Sequence, residues 1–110
     1  MKLIIAIVSS EDQNRVSKNL TAGGFSVTKL STTGGFLSAR NTTFLIGCED
    51  EKVDTALEIL KTHSKTRKRF VPANALPPTS HVGTYISAPV EVTVGGATVF
   101  VLDVERFEKM

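Results

Sequence analysis

Lys2 is followed by six consecutive apolar residues, Leu3-Ile4-Ile5-Ala6-Ile7-Val8, and this run limits the folds open to the chain more than any other feature. An apolar run of that length without alternation marks a central strand covered on both faces. It is far too short to cross a membrane. A secretory leader would need a longer apolar stretch and a small-residue cleavage site, whereas Glu11-Asp12 follow here. The expectation is a cytoplasmic protein with no membrane association, in which the Asn19-Leu20-Thr21 and Asn41-Thr42-Thr43 sequons are chance matches. Cys48 is the single cysteine, so no internal disulfide can form, and its apolar surroundings in sequence predict a buried, reduced thiol.

The rest of the chain supplies what such a strand needs. Ser10 with Gln13 three residues on has the form of a capping box opening a helix. Val16 and Leu20 recur at helical spacing, and Gly23-Gly24 ends the helix. Val27–Thr32 alternates as a second strand and Thr42–Cys48 reads as a third. Asp50 can cap a second helix, with Val53, Ala56, Leu57 and Leu60 on one face and an end near Ser64. From Phe70 to Pro89, four prolines predict a long irregular loop, a kind of connection often tied to function. Val90–Val94 and Ala97–Val104 then read as a hairpin with Gly95-Gly96 at its tip, and Glu105–Met110 as a further helical turn. The order β-α-β-β-α-β predicts an α+β, ferredoxin-like domain over residues 1–110, an antiparallel sheet with both helices on one face. Leu45, Val99, Phe100 and Val101 are costly to leave in water, so oligomerisation through the sheet is expected.

The motifs point to binding rather than chemistry. Thr32-Thr33-Gly34-Gly35-Phe36-Leu37 combines a permissive backbone, two hydroxyls and an aromatic, the makings of a loop that wraps a phosphate and stacks a base. A plain hairpin turn is the competing reading, and for Val94-Gly95-Gly96-Ala97 the leading one. No G-x-x-x-x-G-K-[ST], G-x-G-x-x-G or G-x-S-x-G string occurs. His63 and His81 lack partners at metal-ligand spacing, and Cys48 has no activating histidine nearby in sequence. Asp50-Glu51 suits a helix N-terminus. No catalytic residue and no metal is expected. A net charge of +2 does not by itself imply nucleic acid, and the composition, with one Tyr and no Trp, argues against a base-stacking sheet. Lys61, His63, Lys65, Arg67, Lys68 and Arg69 read first as a solvated helix end, and second as an anion-binding patch.

Three strings together carry a resemblance: Thr28-Lys29-Leu30-x-Thr32-Thr33-Gly34-Gly35-Phe36-Leu37, Asn41-Thr42-Thr43-Phe44, and Pro89-Val90-Glu91-Val92-x-Val94-Gly95-Gly96-Ala97-Thr98-Val99-Phe100-Val101-Leu102. In these the chain resembles the PII-like cyclic di-AMP receptors along essentially its whole length. The resemblance implies a homotrimer of ferredoxin-like protomers and nucleotide pockets in the clefts between subunits. It also implies a T-loop-like segment at 33–40, an enlarged B-loop at 70–89, and loops that rearrange for an unknown downstream protein. Carried over residue by residue, it assigns ligand binding to Thr28, Gly35, Phe36, Leu37, Asn41, Gly47 and Phe100. Thr28 would offer its hydroxyl, Gly35 to Leu37 backbone groups and an apolar surface, and Asn41 its paired donor and acceptor. Gly47 and Phe100 would line the pocket. One departure bears on the ligand: where the family has Asn-Phe-Arg, this chain has Gly24-Phe25-Ser26, and an arginine able to grip a phosphate is missing. Arg40 or the cluster Arg67–Arg69 could replace that charge. The departure also motivates an alternative, a divergent sensor that has given up cyclic di-AMP for another nucleotide or anion such as ATP.

Overall fold

The computed structural model of the protein describes residues 1–30, 41–71 and 90–110. Strand β1 (Lys2–Ser9) lies between β3 (Asn41–Cys48) and β6 (Ala97–Asp103), and β2 (Val27–Leu30) pairs with the far side of β3. The sheet order β2-β3-β1-β6 has every neighbouring pair antiparallel. Helix α1 (Gln13–Ala22) connects β1 to β2 and α2 (Val53–His63) follows β3, each after a single 3-10 turn. This is the ferredoxin-like arrangement expected from the order of elements. A separate two-stranded sheet of β4 (Arg67–Val71) and β5 (Val90–Val94) is inserted between α2 and β6.

The core lies between the helices and one face of the sheet. Ile4, Ala6 and Val8 of β1 and Phe44 and Ile46 of β3 are buried against Val16, Leu20, Ala56 and Leu60 of the helices. These are the alternate strand positions and the i, i+4 helix positions that the periodicity picks out. Val53 and Leu57 pack at the edge of the same cluster, as their shared helix face predicts. Cys48 is buried there too, and desolvation pushes its thiol pKa above the ordinary value.

Helix α1 ends in a Schellman motif. Phe25 N–H donates to Leu20 O (3.0 Å) and Gly24 N–H to Thr21 O (3.0 Å), with Gly24 at φ +90°. Phe25 and Leu20, joined by that bond, are both in the core.

Several elements differ from expectation. The expected hairpin of Val90–Val94 with Ala97–Val104 does not form: β5 pairs with β4 and β6 with β1. A β1 that is apolar throughout needs a neighbour on each edge, and β6 supplies the second. Gly95 and Gly96 (φ +85° and +87°) are therefore a crossing between two sheets. A Cβ on Gly95 would lie inside van der Waals contact of the Lys65 carbonyl, and Gly96 N–H donates to Ser64 O. The basic run is not one helix end, since only Lys61 and His63 lie on α2 and residues 67–71 form β4. Phe70 thus belongs to a strand, and the rest of the expected loop, 72–89, lies outside the described residues, as does the end of the second strand beyond Leu30.

Ser10 and Gln13 form no capping box. Ser9 Oγ accepts from Glu11 N–H (3.4 Å), while Ser10 Oγ and Gln13 Oε1 each lie 3.2 Å from Thr42 Oγ1. Thr42 is buried, so its hydroxyl has first claim on these partners. Asp50 accepts from the N-terminal ammonium (2.9 Å) instead of capping α2. No helical turn forms after Asp103.

One cluster joins the β4–β5 pair to the body. Asp12 is fully buried and receives Arg15 (2.6 Å) and Arg67 (2.9 Å), while Glu11 pairs with Arg69 and Arg67. The hydrogen bond from Arg67 to Asp12 raises the guanidinium pKa further. Removing the carboxylate would leave two cations converging on an apolar gap, although both are partly exposed and can rehydrate. Asp12→Ala is expected to lower the unfolding free energy by about 2–3 kcal/mol in urea denaturation. Gly95→Ala, which meets both a positive φ and the Lys65 carbonyl, should cost at least ~2 kcal/mol in the same assay. Cys48 should resist a disulfide-exchange reagent at pH 7–8, reacting faster only as pH rises through its elevated pKa or on unfolding.

Candidate functional site

The face of the sheet turned away from the helices is where four of the expected ligand residues lie or begin. Register carries Thr28, Leu45, Ile5 and Phe100 across β2, β3, β1 and β6 as one row. Gly47, Leu3 and Leu102 form the next row toward one end. Thr43, Ile7 and Thr98 form the next toward the other, followed by Asn41 beside Ser9. These positions alternate with the buried core positions on the same strands, so they share the face opposite the helices.

That face is apolar and incompletely covered. Leu30, Phe100 and Leu102 are exposed to 38%, 46% and 44%, and Leu3, Ile5 and Leu45 are only half-buried. Of the four residues expected to drive association through the sheet, Leu45 and Phe100 belong to this face. Val99 and Val101 do not: their partners across β1 are Ala6 and Ile4, and Val99 packs against the core.

The expected ligand residues do not converge within one protomer. Thr28 and Phe100 occupy the two edge strands, three interstrand spacings or about 14 Å apart. Asn41 is four residues along β3 from the row that joins them, about 13 Å. Gly35, Phe36 and Leu37 lie outside the described residues. Gly47 is exposed, and a Cβ built on it meets nothing within 4 Å. Nothing inside the protomer requires glycine there, and glycine weakens a strand interior.

Among the described residues two concave regions stand out, one on the helix side of β6 and one at the end of β1. An apolar groove of about 510 Å³ lies between α2 and β6, lined by Leu57, Leu60 and Val99 with Lys61 and Lys65 at its margin. A smaller polar notch of about 320 Å³ lies where β1 ends, and Asn41 lines it with Ser9, Thr66, Thr98 and the Gly95-Gly96 crossing. Nothing in the local sequence pattern marks Ser9, Thr66 and Thr98 as neighbours, because the sheet crossing at Gly95 brings them together.

Arg67 and Arg69, candidates to replace the missing phosphate-gripping arginine, are already paired with Asp12 and Glu11. Arg40 lies outside the described residues. Gly24 has a structural reason of its own, since the helix stop needs a positive φ that asparagine and glycine both tolerate. Exchange of asparagine for glycine at this position therefore keeps the stop, while Ser26, exposed beside it, leaves the guanidinium unreplaced. Among the described residues no group of three His, Cys, Asp or Glu side chains could hold a metal ion, and no helix is long and apolar enough to cross a membrane.

A family described as the cyclic-di-AMP receptor matches residues 1–110, the whole chain. The protein belongs to the cyclic-di-AMP receptor family. Among solved structures it is similar to a functionally unknown protein from Pediococcus pentosaceus, at 45% identity and a TM-score of 0.75, over 99% of this chain and 96% of that one. Gly47→Ala tests whether the bare strand position serves a visitor. The variant is expected to melt within a degree or two of the parent or slightly above it, while its affinity for cyclic di-AMP falls at least several-fold in calorimetry.

Proposed function

We propose that the protein is a non-catalytic sensor that binds cyclic di-AMP between subunits of a homotrimer, with Thr28, Gly35, Phe36, Leu37, Asn41, Gly47 and Phe100 contacting the nucleotide. The supporting observation is the division of Thr28 and Phe100 between opposite edges of one half-covered sheet face. A pocket using both needs a second copy, in which the β2 edge of one protomer approaches the β6 edge of the next. The apolar residues between those edges are what subunit contact would bury. Phe100 then offers its ring to a base, and Thr28 a hydroxyl that donates and accepts at a single point. Binding rearranges the loops for a downstream protein, and no bond in the ligand is broken.

The second reading, a family member that has exchanged cyclic di-AMP for ATP or another anion, is favoured by one observation: Ser26 stands where the family has arginine, and Arg67 and Arg69 are already paired. Losing one charge-assisted contact costs about 1.5–3 kcal/mol, roughly ten- to a hundredfold in affinity. That weakens binding of a dianion without abolishing it.

Light scattering should give three times the 11.9 kDa protomer mass, and calorimetry one cyclic di-AMP per protomer. Phe100→Ala should weaken binding by tenfold or more and Thr28→Val by about fivefold. Leu102→Lys, on the face but outside the ligand residues, should give monomers that no longer bind. A monomeric variant with full affinity would refute the inter-subunit site. ATP binding with no cyclic di-AMP heat would select the second reading.

A further inference from the structure

The polar notch at the end of β1 has a composition that specifies a particular kind of ligand group. Ser9, Thr66 and Thr98 contribute hydroxyls, Asn41 contributes an amide, and Gly95 and Gly96 keep the wall free of side chains. Among the described residues no charged side chain lines it. Arg67, next in sequence to Thr66, directs its guanidinium to Asp12, Glu11 and the Lys65 carbonyl. A phosphate would gain little from such a wall, because anions are held best by cations or by several N–H donors. A sugar hydroxyl, which donates and accepts at once, matches a wall of hydroxyls and an amide.

The available hydrogen-bonding capacity fits. Ser9 Oγ accepts one bond from Glu11 N–H and keeps its own proton to donate. Among the described residues, the hydroxyls of Thr66 and Thr98 have no hydrogen-bond partner. Both line a concavity of about 320 Å³, at the lower end of the range for small-molecule sites. Asn41 joins this notch to the open sheet face, so a nucleotide on that face can extend into it.

We propose that Thr66 and Thr98, with Ser9 and Asn41, form a subsite that receives a ribose 2′-hydroxyl of the bound cyclic dinucleotide and makes the receptor selective for ribo- over deoxyribonucleotides. The proposal rests on the cyclic di-AMP reading above and adds to it the residues that read the sugar. The 2′-hydroxyl is the group by which a protein tells ribose from deoxyribose. Thr66 and Thr98 are exposed in the protomer, so discrimination would rest on the bound nucleotide displacing water from their hydroxyls, which a deoxy ligand does without replacing the lost hydrogen bonds.

The test is calorimetry of the full chain with cyclic di-AMP and with its bis-2′-deoxy analogue. The parent should bind the ribose form roughly tenfold more tightly. Thr98→Val and Thr66→Val should weaken cyclic di-AMP binding toward the deoxy value and leave deoxy binding unchanged, so that discrimination collapses. Thr98→Ser keeps the hydroxyl and should restore it, and melting temperatures of all variants should match the parent. Equal affinity of the parent for both ligands would overturn the subsite while leaving the receptor reading intact. Equal loss of both ligands in the valine variants would overturn it as well, since that would report a change of shape. A parent that binds neither ligand would overturn the cyclic di-AMP reading and the subsite together.

Discussion

Strand β1 is apolar on both faces, and the protomer covers one of them fully and the other only in part, burying Ile7 but not Leu3 or Ile5. Ile4, Ala6 and Val8 are sealed beneath the helices, while Leu3 and Ile5 look out onto a face on which Phe100 and Leu102 stand partly in water. Alternation in antiparallel sheets normally places polar residues on the side left to solvent. Its failure here makes the isolated fold incomplete. If the ligand is held between copies as proposed, it would share the energy of covering that face with the contact between subunits.

The second constraint is the neck between the main sheet and the β4–β5 pair. Two chain segments cross there, 64–67 and 94–97, and each is fixed by a different kind of interaction. Gly95 and Gly96 allow backbone against backbone, with Gly96 N–H bonded to Ser64 O. Arg67 and Arg69 tie the outgoing strand to Asp12 and Glu11 on the turn that follows β1. Removing a buried charge partner costs more than the pair contributes, so this cluster acts mainly by forbidding other placements of the strand. The polar notch lies beside the crossing and owes its shape to it.

Much of the main sheet could be read from residue patterns because each element there is set by its own neighbours. The run Leu3–Val8, the helical spacing of Val16 and Leu20 and of Val53, Ala56 and Leu60, and the glycine stop after Ala22 are local signals, and each produced the element it implies. Strand β4 escaped because Arg67-Lys68-Arg69 carries charge where a strand pattern shows alternation, and the partners of those charges are distant in sequence: Asp12 and Glu11 for the arginines, Glu91 on β5 for Lys68. The false hairpin at Gly95-Gly96 has a related cause. Paired glycines at positive φ are what a tight hairpin requires, but local geometry cannot say that β1 has a vacant edge and will take β6. Ser10 and Gln13 had the spacing of a cap, and the buried hydroxyl of Thr42 outbid the helix end for both. The resemblance named ligand residues on strands but not the notch, whose walls come from four separate segments.

Charge accounts for how such a site must bind. Thirteen Lys and Arg face eleven Asp and Glu over the chain, yet Arg67, next in sequence to Thr66 of the notch, is engaged by Asp12 and Glu11. Ser26 adds no charge. The described side chains that line the notch therefore offer an anionic ligand hydrogen bonds without a cation. In the proposed site, affinity would come from short-range terms: aromatic and aliphatic surface from Phe100 and its neighbours, hydroxyl contacts from Thr28 and the notch, and exclusion of water between subunits. Such terms depend on shape, and in the proposed edge-to-edge cleft shape would depend on how two copies meet. Specificity would then be a property of the assembly, because Thr28 and Phe100 stand on opposite edge strands of one sheet and a single protomer cannot bring them together.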